Sequence, residues 1–380
     1  MNPLETPLNL LAAFALIQGI LTLIDGIRAA RHMRNFRPRR DSCERILVFC
    51  PCKGIDFEFE KNVQSILNQE YPNYAVQFIV ESADDPAYGI LRGYGANVMV
   101  AGRTNSRGQK VHNLARAVEQ APPADIYVFC DSDVRFPPDW LLRLVAPLDR
   151  TTITTGYRWY VAQRFHLSTL LRSAWNASSV SILGNHSRNF AWGGSMAIYR
   201  ETFERLNVSG AWRGSVSDDY SITRAAQRSG TRIIFVPECL VPSYGECTLR
   251  ELLEFTTRQI IITRVYHPAL WRIGFAGHVI FNLAFWLLLL PHPGLWLSIY
   301  VLSAAKSWVR HAAVRTVMKE PALAKTAWFY ILSSPLVALL YLYNMIASML
   351  SREIVWRAIR YELISPTETR VSGGSAARES

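Results

Sequence analysis

The chain has 380 residues, 50% hydrophobic and 19% charged, with 41 Lys and Arg against 30 Asp and Glu for a formal net charge of +11. That balance excludes a disordered or fibrous chain and leaves room for one large catalytic domain with accessories. Its six cysteines (Cys43, Cys50, Cys52, Cys130, Cys239 and Cys247) contain no Cys-x-x-Cys pair, so they read as small buried hydrophobes in a reducing compartment, not as a disulfide scaffold or zinc site.

The first predicted element is a membrane helix. Thr6 to Ile24 runs 19 residues without a charge, and at about 1.5 Å per residue such a run crosses a bilayer core. Only Glu5 precedes it, whereas Arg28, Arg31, Arg34, Arg37, Arg39 and Arg40 follow. The basic residues therefore predict an uncleaved anchor with residue 28 onward on the cytoplasmic side. Residues 1–40 form this anchor and its basic flank.

Residues 41–270 change to short β-rich runs between amphipathic helices. Arg45 to Cys50 is a strand, leading through Pro51-Cys52-Lys53-Gly54 to a helix with Phe59, Val63, Ile66 and Leu67 on one face. Ala75 to Val80 is a second strand, ending at Asp84-Asp85-Pro86, and Asn97 to Ala101 a third. A helix carrying Val111, Leu114, Ala115 and Val118 follows, and Asp125 to Cys130 is a fourth strand that ends in Asp131-Ser132-Asp133. Near-continuous apolar strands alternating with helices predict an α/β fold with a mostly parallel sheet, whose ligands sit beyond the carboxyl ends of the strands.

Asp131-x-Asp133 at a strand end supplies hard oxygen ligands for Mg²⁺ or Mn²⁺, with substrate phosphates completing the shell. Alone, the same pair is an acidic turn ahead of the next helix. Asp84-Asp85 can accept hydrogen bonds from a nucleobase or ribose, and Lys110, at a helix start beside Gly108, can meet phosphate charge. Ser217-Asp218-Asp219-Tyr220 opens another amphipathic segment, where a carboxylate can act as general base or merely cap the helix. The paired Gly193-Gly194 allows close backbone approach to a ligand.

Two more uncharged stretches follow, Ile273 to Ala305 and Thr326 to Ser351, within residues 271–351. The first has 33 residues and is broken by Pro291-His292-Pro293-Gly294, which fits a short hairpin or one span followed by an interfacial segment. Lys306, Arg310, Arg315, Lys319 and Lys325 lie between the stretches, and residues 352–380 form a basic tail ending in a polar segment, Val371 to Ser380. The basic residues border apolar spans instead of interleaved aromatics, so the expected partner is a bilayer and not nucleic acid.

In this order the motifs resemble the membrane glycosyltransferases of families 2 and 21, which have the GT-A fold, and most of all the ceramide glucosyltransferases. The resemblance rests on the N-terminal anchor, Pro51-x-Lys53-Gly54, Tyr71-Pro72-x-Tyr74, Asp84-Asp85-Pro86, Lys110-x-x-Asn113-Leu114, Cys130-Asp131-Ser132, Asp219-Tyr220 and Trp356-Arg357-x-x-x-Arg360-Tyr361. It implies that Asp85 or Asp84 holds uridine, Asp131 and Asp133 the metal-diphosphate, and Asp219 the base role, with Asp218 capping the helix. Pro51, Lys53 and Lys110 would join the nucleotide-sugar site, and Gly193, Gly194 and Asp218 the acceptor site. The family's Gln/Arg-x-x-Arg-Trp motif departs here to Arg258-Gln259-Ile260-Ile261-Ile262, which leaves Arg258, Arg264 and Tyr266 as the acceptor-side candidates. The implied activity is inverting transfer of a hexose, glucose first, from a UDP-sugar to a ceramide-like membrane lipid. The implied location is a bacterial inner membrane, with the catalytic domain cytoplasmic. The alternatives are a processive β-glycan synthase, disfavoured by the altered motif, and a non-catalytic scaffold, disfavoured by the intact Asp131, Asp133 and Asp219.

Overall fold

The computed structural model describes residues 5–37 and 43–372; Arg39, Arg40 and the end of the polar tail from residue 373 lie outside them. In chain order come α1 (Glu5–Asn35), β1 (Ile46–Pro51), α2 (Phe59–Leu67), β2 (Tyr74–Val80), α3 (Pro86–Gly93), β3 (Val98–Val100), α4 (Gln109–Glu119) and β4 (Ile126–Cys130). Next are α5 (Trp140–Val145), β5 (Thr152–Tyr160), α6 (Leu167–Val180), β6 (Ser195–Tyr199), α7 (Arg200–Arg205), α8 (Val208–Ala211), α9 (Asp218–Ser229) and β7 (Arg232–Ser243). Five helices follow: α10 (Leu249–Tyr266), α11 (Pro268–Leu287), α12 (Pro293–Val317), α13 (Pro321–Leu332) and α14 (Ser334–Leu350). The strands β8 (Glu353–Trp356), β9 (Ile359–Ser365) and β10 (Glu368–Ser372) come last.

These elements form two compact units. The α/β unit comprises Phe36–Trp159, Asn185–Tyr244 and the residues from Arg352 on. Its seven-stranded sheet has the order β3-β2-β1-β4-β6-β5-β7. The first four strands are mutually parallel, and β6 runs antiparallel to both β4 and β5. Every residue of β4, and all of β1 up to Cys50, is buried. Strands covered on both faces need that unbroken apolar run, which is why β1 and β4 are legible as sequence, whereas β3 at the sheet edge has no buried residue. Because β1, β2 and β4 are parallel, the loops after Pro51, Val80 and Cys130 emerge on one edge of the sheet. Below that edge Phe49, Phe129, Phe203 and Trp212 pack ring against ring.

The tail from Arg352 is not merely a basic extension. Residues 353–372 form a separate antiparallel sheet of order β10-β9-β8, which belongs to the α/β unit. Tyr361 is buried in it, and its hydroxyl accepts a hydrogen bond from the backbone N–H of Gln109 at 3.2 Å. At Gly214 (φ +67°) a Cβ would stand 2.1 Å from the carbonyl oxygen of Thr367, so only glycine admits this sheet.

The helical unit comprises the residues up to Asn35, Tyr160–Gly184 and Gly245–Ser351. Two of its helices, α1 and α11, are long and apolar enough to cross a membrane, and the pair α13 and α14, bent by 72°, makes a third candidate. The proline-rich break divides the second apolar stretch into α11 and α12, as its turn residues dictate. Along α1, Gly19 lies against Leu302 and Gly26 against Lys306 of α12, so small residues admit the close approach of the two helices. Leu10, Phe14, Ile17 and Leu21 on α1 face outward, as a lipid-contacting surface requires.

Candidate active site

The loops after β1 and β4 converge on a network of charges. Lys110, in the first turn of α4, holds Asp131 Oδ1 at 2.8 Å and Asp218 Oδ1 at 3.2 Å. Arg158, from β5, bridges Asp131 Oδ2 at 2.5 Å and Asp133 Oδ2 at 2.7 Å, while its guanidinium lies 5.0 Å from the centre of the Trp192 ring. Arg357 pairs with Asp56, whose other oxygen accepts from Ser132 Oγ at 3.2 Å. Burial pushes Asp131 up, but the Lys110 and Arg158 cations outweigh it and hold the carboxyl below its usual range. For Lys110 burial opposes the charge, yet Asp131, Asp218 and Asp219 raise its pKa above the ordinary lysine value. Burial, followed by the Asp133 charge, raises Asp56 despite Arg357.

The start of α9 differs from the expected capping arrangement. Ser217 is the N-cap, its Oγ accepting from the Tyr220 N–H at 3.1 Å, and Asp218 is not the cap. Asp218 turns inward to Lys110 and is 4% exposed, because the buried Trp212 indole donates to its carbonyl oxygen at 3.1 Å and fixes the first turn. Burial pushes the Asp218 carboxyl up to about 6, and its Oδ2 has no hydrogen-bond partner. Asp219 is half-buried; its Oδ1 accepts from Ser217 Oγ at 2.5 Å and from the Tyr220 N–H at 2.7 Å.

At Gly193, what approaches the backbone is the Asp218 carboxylate, since an added Cβ would stand 1.9 Å from Oδ2 and 3.2 Å from Lys110 Nζ. At Gly194 the neighbour is the Trp192 ring, 2.1 Å from such a Cβ. On the other side of the edge, Asp85 caps α3 and accepts from the Gly54 N–H at 2.9 Å and the Ala87 N–H at 2.9 Å, which ties the loop after β1 to the loop after β2. Asp84 is exposed and accepts from Ser82 Oγ at 3.0 Å. Lys53, two residues after Pro51, pairs with Glu81. The structure thus gathers Lys110, Asp131, Asp133, Gly193, Asp218 and Asp219 in one network and Pro51, Lys53, Asp84 and Asp85 at neighbouring strand ends.

Arg258, Arg264 and Tyr266 lie on α10 of the helical unit. Arg264 donates to the carbonyl oxygens of Ser348 and Ser351 at the end of α14, and Tyr266 is buried. Arg258 stands over the Phe255 ring, 5.7 Å from its centre.

Arg158 and Asp56 are functional candidates that the sequence does not single out, and Arg357 is one to which it assigns no role. The one local signal for Arg158 was a cation inside a β-rich run, Thr152–Tyr160. Arg357 stands in the Trp356-Arg357-x-x-x-Arg360-Tyr361 motif without an assigned role, because its hairpin turn, Arg357-Ala358, has positive φ at both residues without the Asn or Gly that advertises such a turn.

A sequence model of glycosyl transferase family 21 matches residues 8–369. The ceramide glucosyltransferase of Komagataella phaffii is 30% identical over 161 residues, covering 38% of this chain and 31% of that protein, so the match spans about a third of the relative's length. Among solved structures, a mannosyltransferase from Pyrobaculum calidifontis, determined with GDP-Man and Mn²⁺, superposes with a TM-score of 0.52 at 18% identity, covering 90% of this chain and 98% of its own. Glucosyl-3-phosphoglycerate synthase from Mycobacterium tuberculosis reaches a TM-score of 0.40 at 17% identity over 61% of this chain and 86% of its own. The mannosyltransferase likeness is one of fold, the GT-A arrangement of a mostly parallel sheet flanked by helices.

Proposed function

We propose, for a chain that belongs to glycosyl transferase family 21, that it transfers a hexose, glucose first, from a UDP-sugar to the hydroxyl of a ceramide-like membrane lipid, with inversion. The observation that carries this reading is the largely buried Lys110–Asp131–Asp218 network, bridged by Arg158 to Asp133, on the edge where the parallel strands end. The relative named a ceramide glucosyltransferase supports the lipid acceptor, and the apolar helices α1 and α11 support membrane attachment. The arginines that follow the apolar run of α1 support a cytoplasmic α/β unit, where UDP-sugars are made.

The nucleoside is held beside Asp84 and Asp85, and the diphosphate at Asp131 and Asp133. The residues there fit a divalent cation. Their donors are hard carboxylate oxygens only, and the Arg158 guanidinium already stands as a cation between Asp131 and Asp133. Among the described residues no three His, Cys, Asp or Glu side chains gather as a metal cage, so diphosphate oxygens must complete the shell. Mg²⁺ or Mn²⁺ bound there would offset the charge that develops on the leaving diphosphate.

The chain's own groups do the rest. Lys110, kept protonated by its carboxylate neighbours, supplies positive charge where the sugar–phosphate bond breaks. Asp219, oriented through one oxygen by Ser217, takes the acceptor hydroxyl proton on the other as the oxygen bonds to the anomeric carbon. One displacement turns an α-linked donor into a β-linked product and releases UDP. The test is a UDP-release assay on membranes containing the protein, with several UDP-sugars and with ceramide or a total lipid extract as acceptor, followed by determination of the product's anomeric configuration. A lipid-dependent β-glucoside is expected. An α-linked product, or UDP release indifferent to lipid, would refute the reading.

A further inference from the structure

Among the described residues, no carboxylate pairs with Lys306 or Arg310 of the helical unit. Lys306 and Arg310 are one turn apart on α12 and so share a face. Arg310 is 6% exposed; it donates to Ser181 Oγ, just past the end of α6, at 3.2 Å, and its Nε is buried without a partner. Lys306 lies against Gly26 of α1, its Cγ 3.5 Å from where a Cβ would stand. The nearest acid in that sequence, Asp25, is taken by Arg28 at 3.1 Å. On α6 the Trp175 indole nitrogen is also buried without a partner, and its ring stacks on Tyr341, which in turn stacks on His278 of α11. Arg310 is within electrostatic reach of Tyr341, and Lys306 of His278.

A buried Arg310, a partly buried Lys306 and an unsatisfied indole N–H demand an acceptor, and the described residues supply none with negative charge. The depth of the site identifies one. Gly26 follows Asp25, the first charge after the uncharged run of α1, so Lys306 stands where the apolar span ends and lipid phosphates begin. Basic pockets between membrane helices at that level take anionic headgroups.

We propose that Lys306, Arg310 and Trp175 bind the phosphate of an anionic phospholipid, apart from any sugar acceptor. The proposal rests on the membrane attachment above, which carbonate extraction of the same membranes reports independently. The protein is reconstituted in nanodiscs of phosphatidylcholine alone or with added phosphatidylglycerol, and lipid retention is read by native mass spectrometry together with the melting temperature. Wild-type protein should retain phosphatidylglycerol and melt higher in its presence. Each neutralised charge should weaken that binding by roughly fivefold, and the Lys306→Gln, Arg310→Gln double variant by about thirtyfold. The charge-conserving pair Lys306→Arg, Arg310→Lys should retain it, which separates loss of charge from loss of fold. Equal phosphatidylglycerol retention in wild type and the neutral double variant would overturn the site. Stabilisation by inorganic phosphate in phosphatidylcholine nanodiscs, equal to that by phosphatidylglycerol, would overturn the lipid assignment in favour of a soluble phosphate.

Discussion

Replacing Gly193 with alanine probes the active-site network with a single methyl group. The added Cβ would stand 1.9 Å from Asp218 Oδ2, whereas ordinary contact begins at 3.4 Å. The carboxylate must therefore retreat by about 1.5 Å, the difference between those distances, and its 3.2 Å link to Lys110 cannot survive the move. Overpacking of this kind costs about 1–3 kcal/mol of stability. A displacement of about 1 Å in a catalytic site costs on the order of 100-fold in rate. Gly193→Ala should accordingly lower kcat for UDP release about 100-fold while the protein still folds. Gly89→Ala, where an added Cβ meets nothing within 4 Å, is the control in a helix of the same unit: turnover should be unchanged and stability should rise by about 0.5–1 kcal/mol. Asp218 is the main partner in the clash, with the flexible Lys110 Nζ only slightly tight at 3.2 Å, so most of it can be removed from the other side. In an Asp218→Ala background the stability cost of Gly193→Ala should largely vanish, and a thermal-unfolding double-mutant cycle measures this. Wild-type turnover in Gly193→Ala, or additive stability losses in the cycle, would refute the placement of Asp218 against that backbone.

Asp219→Asn should keep UDP-sugar binding, measured by calorimetry, while turnover falls by about 10²- to 10⁴-fold; near-normal turnover would remove Asp219 as the base. Activity should vanish in EDTA and return with Mg²⁺ or Mn²⁺, and Arg158→Gln should tighten Mn²⁺ binding as read by electron paramagnetic resonance, because the guanidinium competes for Asp131 and Asp133; unchanged or weaker Mn²⁺ binding would show that Arg158 is not a competitor. In the metal-free protein, burial lifts Asp218 to about 6 from about 3.9 in an unfolded chain. The folded state thus holds that proton more tightly, and this contribution to stability, full below about pH 4, is lost as pH rises through about 6, so thermal unfolding should show wild type losing ground to Asp218→Asn over that interval. Cys43 is exposed and Cys247 buried, so labelling of intact cells with an impermeant thiol reagent should leave Cys43 unmodified if the α/β unit is cytoplasmic, and modification from outside would reverse the orientation.

What the sequence determined by itself was whatever a local pattern encodes. Strands β1 to β4 were legible to within two residues: β1 and β4 are buried on both faces and need unbroken apolar runs, while the edge strand β3 is a short valine-rich run. The amphipathic faces of α2 and α4 were legible for the matching reason of helical period. Asp131-x-Asp133 and Asp84-Asp85 could be placed at strand ends, since a strand's end is a local fact. Strands β5 to β7 were not read, because β5 and β7 interrupt their apolar residues with threonines, a glycine, prolines and charges, and partners from distant parts of the chain complete their burial. Only the tertiary structure decided the charges. Arg158 meets Asp131 across 27 positions, and Arg357 meets Asp56 across 301, by way of a hairpin turn without the usual turn residues. Asp218 and Asp219 are adjacent acids in an ordinary helix start, and no local pattern separates them. The Trp212 indole and Lys110 draw the first inward, while Ser217 fixes the second. Ion pairs are set by where backbones stand in space, and that arrangement exists only after the sheet and the helices have packed.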